Sequence, residues 1–132
     1  VDSDGANARV LPGIGSAISP EWHPSGRMIA YQQWADDGSH VIVRDLTTQQ
    51  ARRISFALGT NITPAFSPDG KDLVFAYGSD ATDLWKVPLQ GGEGPVRITV
   101  GRGSENVQPS FSPDGRRIAF ATGRLGRPEI YI

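Results

Sequence analysis

The chain has 132 residues, a formal charge of −1, 38% hydrophobic and 20% charged residues, 16 glycines and 10 prolines. That length holds one compact domain, and the near-zero charge gives no electrostatic case for nucleic acid or an anionic membrane as partner. The absence of cysteine excludes disulfides and thiolate chemistry, and no stretch approaches the ~20 apolar residues of a membrane span.

Taken in chain order, Ala8–Leu11 reads as a strand with no sheet of its own. Ile18–Trp22, Arg27–Gln32, Ser39–Arg44 and Ala51–Ser55 follow as a set of four strands, with Asp36-Asp37-Gly38 as a hairpin turn. The next set is Ile62–Phe66, Asp72–Tyr77, Asp83–Val87 and Pro95–Thr99, whose proline suits an edge. Val107–Phe111, Arg116–Ala121 and Pro128–Ile132 open a third set that has no fourth strand. Turn residues bound every run, and no segment carries the 3.6-residue period of a helix.

The sets are copies of one unit. Ser19-Pro-Glu-Trp-His-Pro-Ser-Gly26 returns as Thr63-Pro-Ala-Phe-Ser-Pro-Asp-Gly70 and as Gln108-Pro-Ser-Phe-Ser-Pro-Asp-Gly115, with prolines at 20, 64 and 109. Arg9-Val10, Arg53-Ile54 and Arg97-Ile98 keep the same spacing. A period of this size built from four short strands points to propeller blades. The expected divisions are 12–55, 56–99 and 100–132, the last without its outer strand, and 1–11 as an outer strand for another blade. Neither a leader nor an initiator methionine is present, so a segment of a longer or processed chain is expected.

Phe66-Ser-Pro-Asp-Gly70 followed by Leu73-Val-Phe-Ala76, and Phe111-Ser-Pro-Asp-Gly115 followed by Ile118-Ala-Phe120, resemble the WD40-like repeat of TolB-type propellers. Ala51-Arg-Arg-Ile54, Pro128-Glu-Ile-Tyr131 and Asp2-Ser-Asp-Gly-Ala-Asn7 fit the same pattern, so the resemblance covers essentially the whole chain. The first repeat departs from it, with His23 for Ser and Ser25 for Asp. TolB-type propellers are six-bladed, and this chain holds three repeats. The expectation is an all-β half-propeller that closes a six-bladed ring as a homodimer. Its seam would join Ala8, Arg9, Val10 and Leu11 of one copy to Glu129, Ile130, Tyr131 and Ile132 of the other.

Catalytic machinery is not expected. There is no Gly-x-Ser-x-Gly elbow, and the two histidines, His23 and His40, read as a turn residue and a strand residue. Asp69 and Asp114 recur because the turn needs them, so no metal cluster and no cofactor are expected. A weak channel cation such as calcium stays open. Gly13-Ile-Gly15 and Gly101-Arg-Gly-Ser104 lack a following helix and read as links between blades, not phosphate loops.

Trp22, Phe66 and Phe111 share one repeat position and are expected between blades, whereas Trp34 does not recur and is a contact candidate. Asn61 and Asn106 align at the entry to the inner strands, beside Glu105, and offer amides to a peptide backbone or to nearby main chain. The resemblance implies a non-enzymatic, periplasmic module that binds a protein or peptide, with a Tol–Pal envelope protein as partner. Two readings stand beside it: a substrate-gating piece of a prolyl-oligopeptidase-like peptidase, and an isolated or engineered assembly fragment without a ligand of its own.

Overall fold

The computed structural model describes residues 2–56, 58–100 and 104–132. Among these, every regular element is a strand. One sheet is β1 (Ala17–Trp22), β2 (Met28–Ala35), β3 (Gly38–Asp45) and β4 (Ala51–Arg53), paired antiparallel in that order. The second is β5 (Thr60–Phe66), β6 (Asp72–Gly78), β7 (Asp83–Pro88) and β8 (Val96–Arg97), in the same order. The third holds β9 (Asn106–Phe111), β10 (Ile118–Thr122) and β11 (Glu129–Tyr131), with β11 at its edge. Residues 101–103, most of one glycine-rich link, lie outside the described residues.

The three sheets stack as blades, β1 against β5 and β5 against β9. Alternation along each strand divides its side chains between two neighbours. Phe66, Leu73 and Phe75 face the first blade and bury against Ala30, Val41 and Val43. Val74, Ala76 and Leu84 face the third, where Phe111, Ile118 and Phe120 pack on them. Each seam thus sets large side chains against small or branched ones. Complete burial of a Phe or Leu contributes about 1.5–3 kcal/mol, so these layers are the main glue. Trp22 occupies the position of Phe66 and Phe111 but is 63% exposed, because no described sheet packs on that side of the first blade.

The outer strands are shorter than the sequence suggests. Pro95 has no N–H to donate, and Thr99 turns inward, its hydroxyl receiving the Leu84 N–H at 2.9 Å. Ile54 and Ser55 likewise leave the edge and become buried between blades. Ala8–Leu11 forms no strand within the chain, and Val10 stands 92% exposed.

The recurrent turn explains its own residues. In Ser67-Pro-Asp-Gly70 the Ser67 hydroxyl donates to Asp69 Oδ1 at 2.6 Å and accepts the Asp72 N–H at 3.0 Å. Gly70 closes the turn onto the Ser67 carbonyl at 2.8 Å with φ at +71°, a value suited to glycine. Ser112 and Asp114 repeat the arrangement at 2.6 Å. In the first blade the roles are exchanged, with Ser25 Oγ donating to His23 Nδ1 at 2.7 Å. His23 Nε2 lies 3.0 Å from the Gly70 carbonyl. A carbonyl only accepts, so Nε2 carries the proton and the ring ties the two neighbouring turns together.

Candidate binding surface

Each blade presents two rims. At one stand the Pro-bounded turns of residues 23–26, 67–70 and 112–115. At the other stand the hairpins 35–38, 78–83 and 122–129, together with the segments that enter the inner strands β1, β5 and β9.

Polar groups organise the second rim. Asn106 is fully buried. Its Nδ2 donates to the Thr82 carbonyl at 3.0 Å and to Asp83 Oδ1 at 3.1 Å, both in the preceding blade. Asp83 is held in turn by the Thr99 hydroxyl at 2.9 Å and by the Arg97 guanidinium. Asn61, equally buried, donates to the Ser39 carbonyl of the first blade at 2.9 Å. Ser39 answers by donating its hydroxyl to the Asn61 carbonyl at 3.1 Å. Of the two roles left open for these amides, the structure shows bonds to nearby main chain: each points across the seam and acts as a clasp between blades. Ala17 takes this position in the first blade and has no amide to offer.

His40 takes the position of Asp83. It is buried, with Nε2 at 2.6 Å from Asp37 Oδ1 and Nδ1 at 3.5 Å from Ser55 Oγ. Arg53 lies 3.6 Å from the other Asp37 oxygen. The hydrogen bond to His40 is the main reason the Asp37 carboxyl is held below the ordinary aspartate range. Both ring nitrogens of His40 thus face local partners, Asp37 and Ser55, which gives it a structural task. On the opposite rim, bonds from Ser67 and the Lys71 N–H hold Asp69 low, and Ser112 and the Arg116 N–H do the same for Asp114. Among the described residues no group of three or more His, Asp or Glu is arranged to hold a metal ion.

Of the ligand-contact candidates, Trp34 and Glu105 remain open to solvent, Trp34 by 52%. A further feature escaped the sequence reading. Ser19, Thr63 and Gln108 have φ of +54°, +50° and +54°, each one residue before the inner-strand proline. Positive φ is uncommon for any residue with a Cβ and a genuine outlier for a branched one such as Thr63. Each position is a bulge, where pairing between inner and second strand shifts register. The Gln108 N–H donates to Thr63 Oγ1 at 3.1 Å, so the second and third bulges are bonded to each other along the innermost strands. Ser, Thr and Gln share no common turn preference, and only the invariant following proline could have drawn attention to them.

The TolB beta propeller domain family matches residues 1–132 in full. The chain belongs to that family. The Tol-Pal system protein TolB of Nitratidesulfovibrio vulgaris is 39% identical over 72 residues, 54% of this chain and 16% of that protein. The protein of the same name from Francisella tularensis subsp. mediasiatica is 34% identical over 93 residues, 67% of this chain and 21% of its own length. The crystal structure of TolB from Acinetobacter baumannii superposes with a TM-score of 0.73 at 29% identity, covering 88% of this chain and 29% of that one. The chain thus spans about a fifth of the curated relatives it matches.

Proposed function

We propose that this chain is a non-enzymatic, periplasmic TolB-type binding module, and that its ligand is a protein or peptide of the Tol–Pal envelope system. The match to the TolB propeller family along the whole chain, with Tol-Pal system proteins among its relatives, carries the reading. The geometry agrees with it. The buried polar groups of the hairpin rim are engaged in holding blades together, while Trp34 and Glu105 stand at that rim with solvent-accessible surface. An aromatic side chain on a rigid frame suits protein recognition, where Trp is enriched among the residues that dominate binding.

The second part of the proposal is a ring. Three blades leave one apolar face uncovered at each end of the stack. Trp22 and Ile18 are exposed on the first blade, and Ile130 and Ile132 on the third. Two copies arranged head to tail would cover both faces twice, with two-fold symmetry, and complete six blades.

A calorimetric titration with the soluble domain of a peptidoglycan-associated lipoprotein tests the ligand. Saturable binding that is weakened about tenfold or more by Trp34→Ala, the loss expected of an anchoring aromatic, supports the assignment. No heat with a folded protein refutes it. Light scattering coupled to gel filtration tests the ring separately, and a mass of one chain refutes closure.

A further inference from the structure

The internal blades show how an outer strand is fastened, and the same parts recur, separated, at the two ends of the chain. In the second blade Arg97 of β8 sits opposite Trp85 in the ladder and pairs with Asp83, two residues earlier on β7. In the first, Arg53 of β4 sits opposite Ile42. There Arg53 meets Asp37, the acid that holds His40 at the position of Asp83. Both complete blades therefore pin the outer strand with an arginine on a carboxylate at the hairpin end of the third strand.

The ladders place the third blade in the same frame. Phe120 opposes Tyr131 as Phe75 opposes Trp85 and Tyr31 opposes Ile42. Tyr131 is thus the counterpart of Trp85, and Glu129 that of Asp83. Beside them β11 is an edge strand, with nothing paired on its outer side among the described residues. The repeat spacing that links Arg97 to Arg53 reaches Arg9 in the N-terminal segment, which is exposed.

That segment is already routed for the task. Residues 54–56 leave β4 onto the face of the second blade, where Phe56 packs on Phe75, Tyr77 and Trp85. Residues 9–14 take the equivalent course over the first blade. Arg9, Val10, Leu11 and Ile14 line one concavity with Ile29 and Tyr31, and the Ile14 carbonyl receives the Gln33 amide. The segment lies where a chain leaving the outer strand of a preceding blade would lie.

We infer that Arg9 of one copy latches onto Glu129 of a second copy, as Arg97 latches onto Asp83, and so sets the register of the ring seam. The inference rests on the two-copy ring proposed above. Arg9 is then opposite Tyr131 of the other chain and Ala8 opposite its Ile132. The proposed occupant is a second copy because the two ends carry complementary parts, although Glu129 is also held within its own chain by the exposed Arg127 at 3.0 Å. The edge strand and its acid lie on the third blade, while the arginine and its connecting segment lie on the first. The end faces would then follow the rule of the internal seams, with the exposed Trp22 set against Ala119, Ala121 and Ile130.

Charge reversal tests it. Arg9→Glu places like charges at both seams of its homodimer, and so does Glu129→Arg. Each variant alone should weaken the dimer about a hundredfold or more, given the several kcal/mol that juxtaposed like charges cost. Mixed one to one, the two variants oppose unlike charges at both seams. The mass by light scattering should then return to two chains, with one of each in native mass spectrometry. Loss of folding in either variant would not be repaired by mixing, so recovery excludes that explanation. Wild-type dimers that are indifferent to both substitutions, or variants that stay monomeric when mixed, overturn the latch and leave the ring standing. A monomeric wild type overturns the ring and the latch together.

Discussion

Substitution of Asn106 by alanine removes the amide that spans the second and third blades. The lost bonds are a neutral one to the Thr82 carbonyl at 3.0 Å, a charged one to Asp83 at 3.1 Å and a long one from Arg124 to Asn106 Oδ1 at 3.3 Å. A neutral hydrogen bond contributes about 1 kcal/mol net and one to a charged group about 1.5–3 kcal/mol. The Thr82 carbonyl keeps the Asn106 backbone N–H at 2.9 Å, so it is not orphaned. The cost should therefore fall at about 2–3 kcal/mol, against a total of about 7–20 kcal/mol for a chain of this size. Urea titration followed by circular dichroism at one protein concentration should move the midpoint down by about 1–1.5 M, for a slope near 2 kcal/mol/M. Asn106→Asp keeps the shape but sets a carboxylate against Asp83, and should be less stable than the alanine variant at neutral pH. A midpoint within about 0.3 M of wild type, or an aspartate variant more stable than the alanine one, would refute the clasp.

Two further outcomes follow from the turns and the bulges. Asp69 and Asp114 are held low by their serine and backbone donors, so below about pH 4 the folded chain binds fewer protons than the unfolded chain. Their contribution is complete above the unfolded aspartate pKa and is lost as pH falls through the lower folded values. Acid titration of the Asp69→Asn, Asp114→Asn double variant should show a shallower loss of stability in that window than wild type, and an identical slope would contradict the assignment. At the third bulge, Gln108→Gly should stay within about 1 kcal/mol of wild type by thermal melting, because relief of positive φ offsets the added freedom of the unfolded chain. Gln108→Val should cost about 1–3 kcal/mol, and equal stability of the two variants would remove the case for strain.

Much of this architecture is legible because its signals are local. Each Ser-Pro-Asp-Gly turn states its own geometry, and the strands between turns are bounded by glycine and proline, so blade count and strand order follow from the chain alone. What could not be read depends on partners distant in sequence. Asn61 and Asn106 announce themselves by recurrence, yet their acceptors lie 22 and 24 residues upstream on another sheet. Nothing local separates a clasp from a ligand contact. The exchange of His23 and Ser25 reads as a tolerated turn, and only the structure shows the imidazole reaching Gly70. The outer strands read longer in the sequence than they are, because Ile54 and Thr99 look like β residues while their burial draws them off the edge.

The clasp has a consequence for how such chains change over generations. Its donor is a side chain, but the group it seizes at Ser39 and Thr82 is a main-chain carbonyl, which every residue type supplies. A blade therefore brings its own half of that bond and asks of its neighbour only a hairpin at the right height, while the Asn106–Asp83 contact adds a demand for one particular side chain. Duplication or exchange of a blade keeps the main-chain half of the joint without a matching change next door, and the carboxylate contact is the part that has to be supplied again.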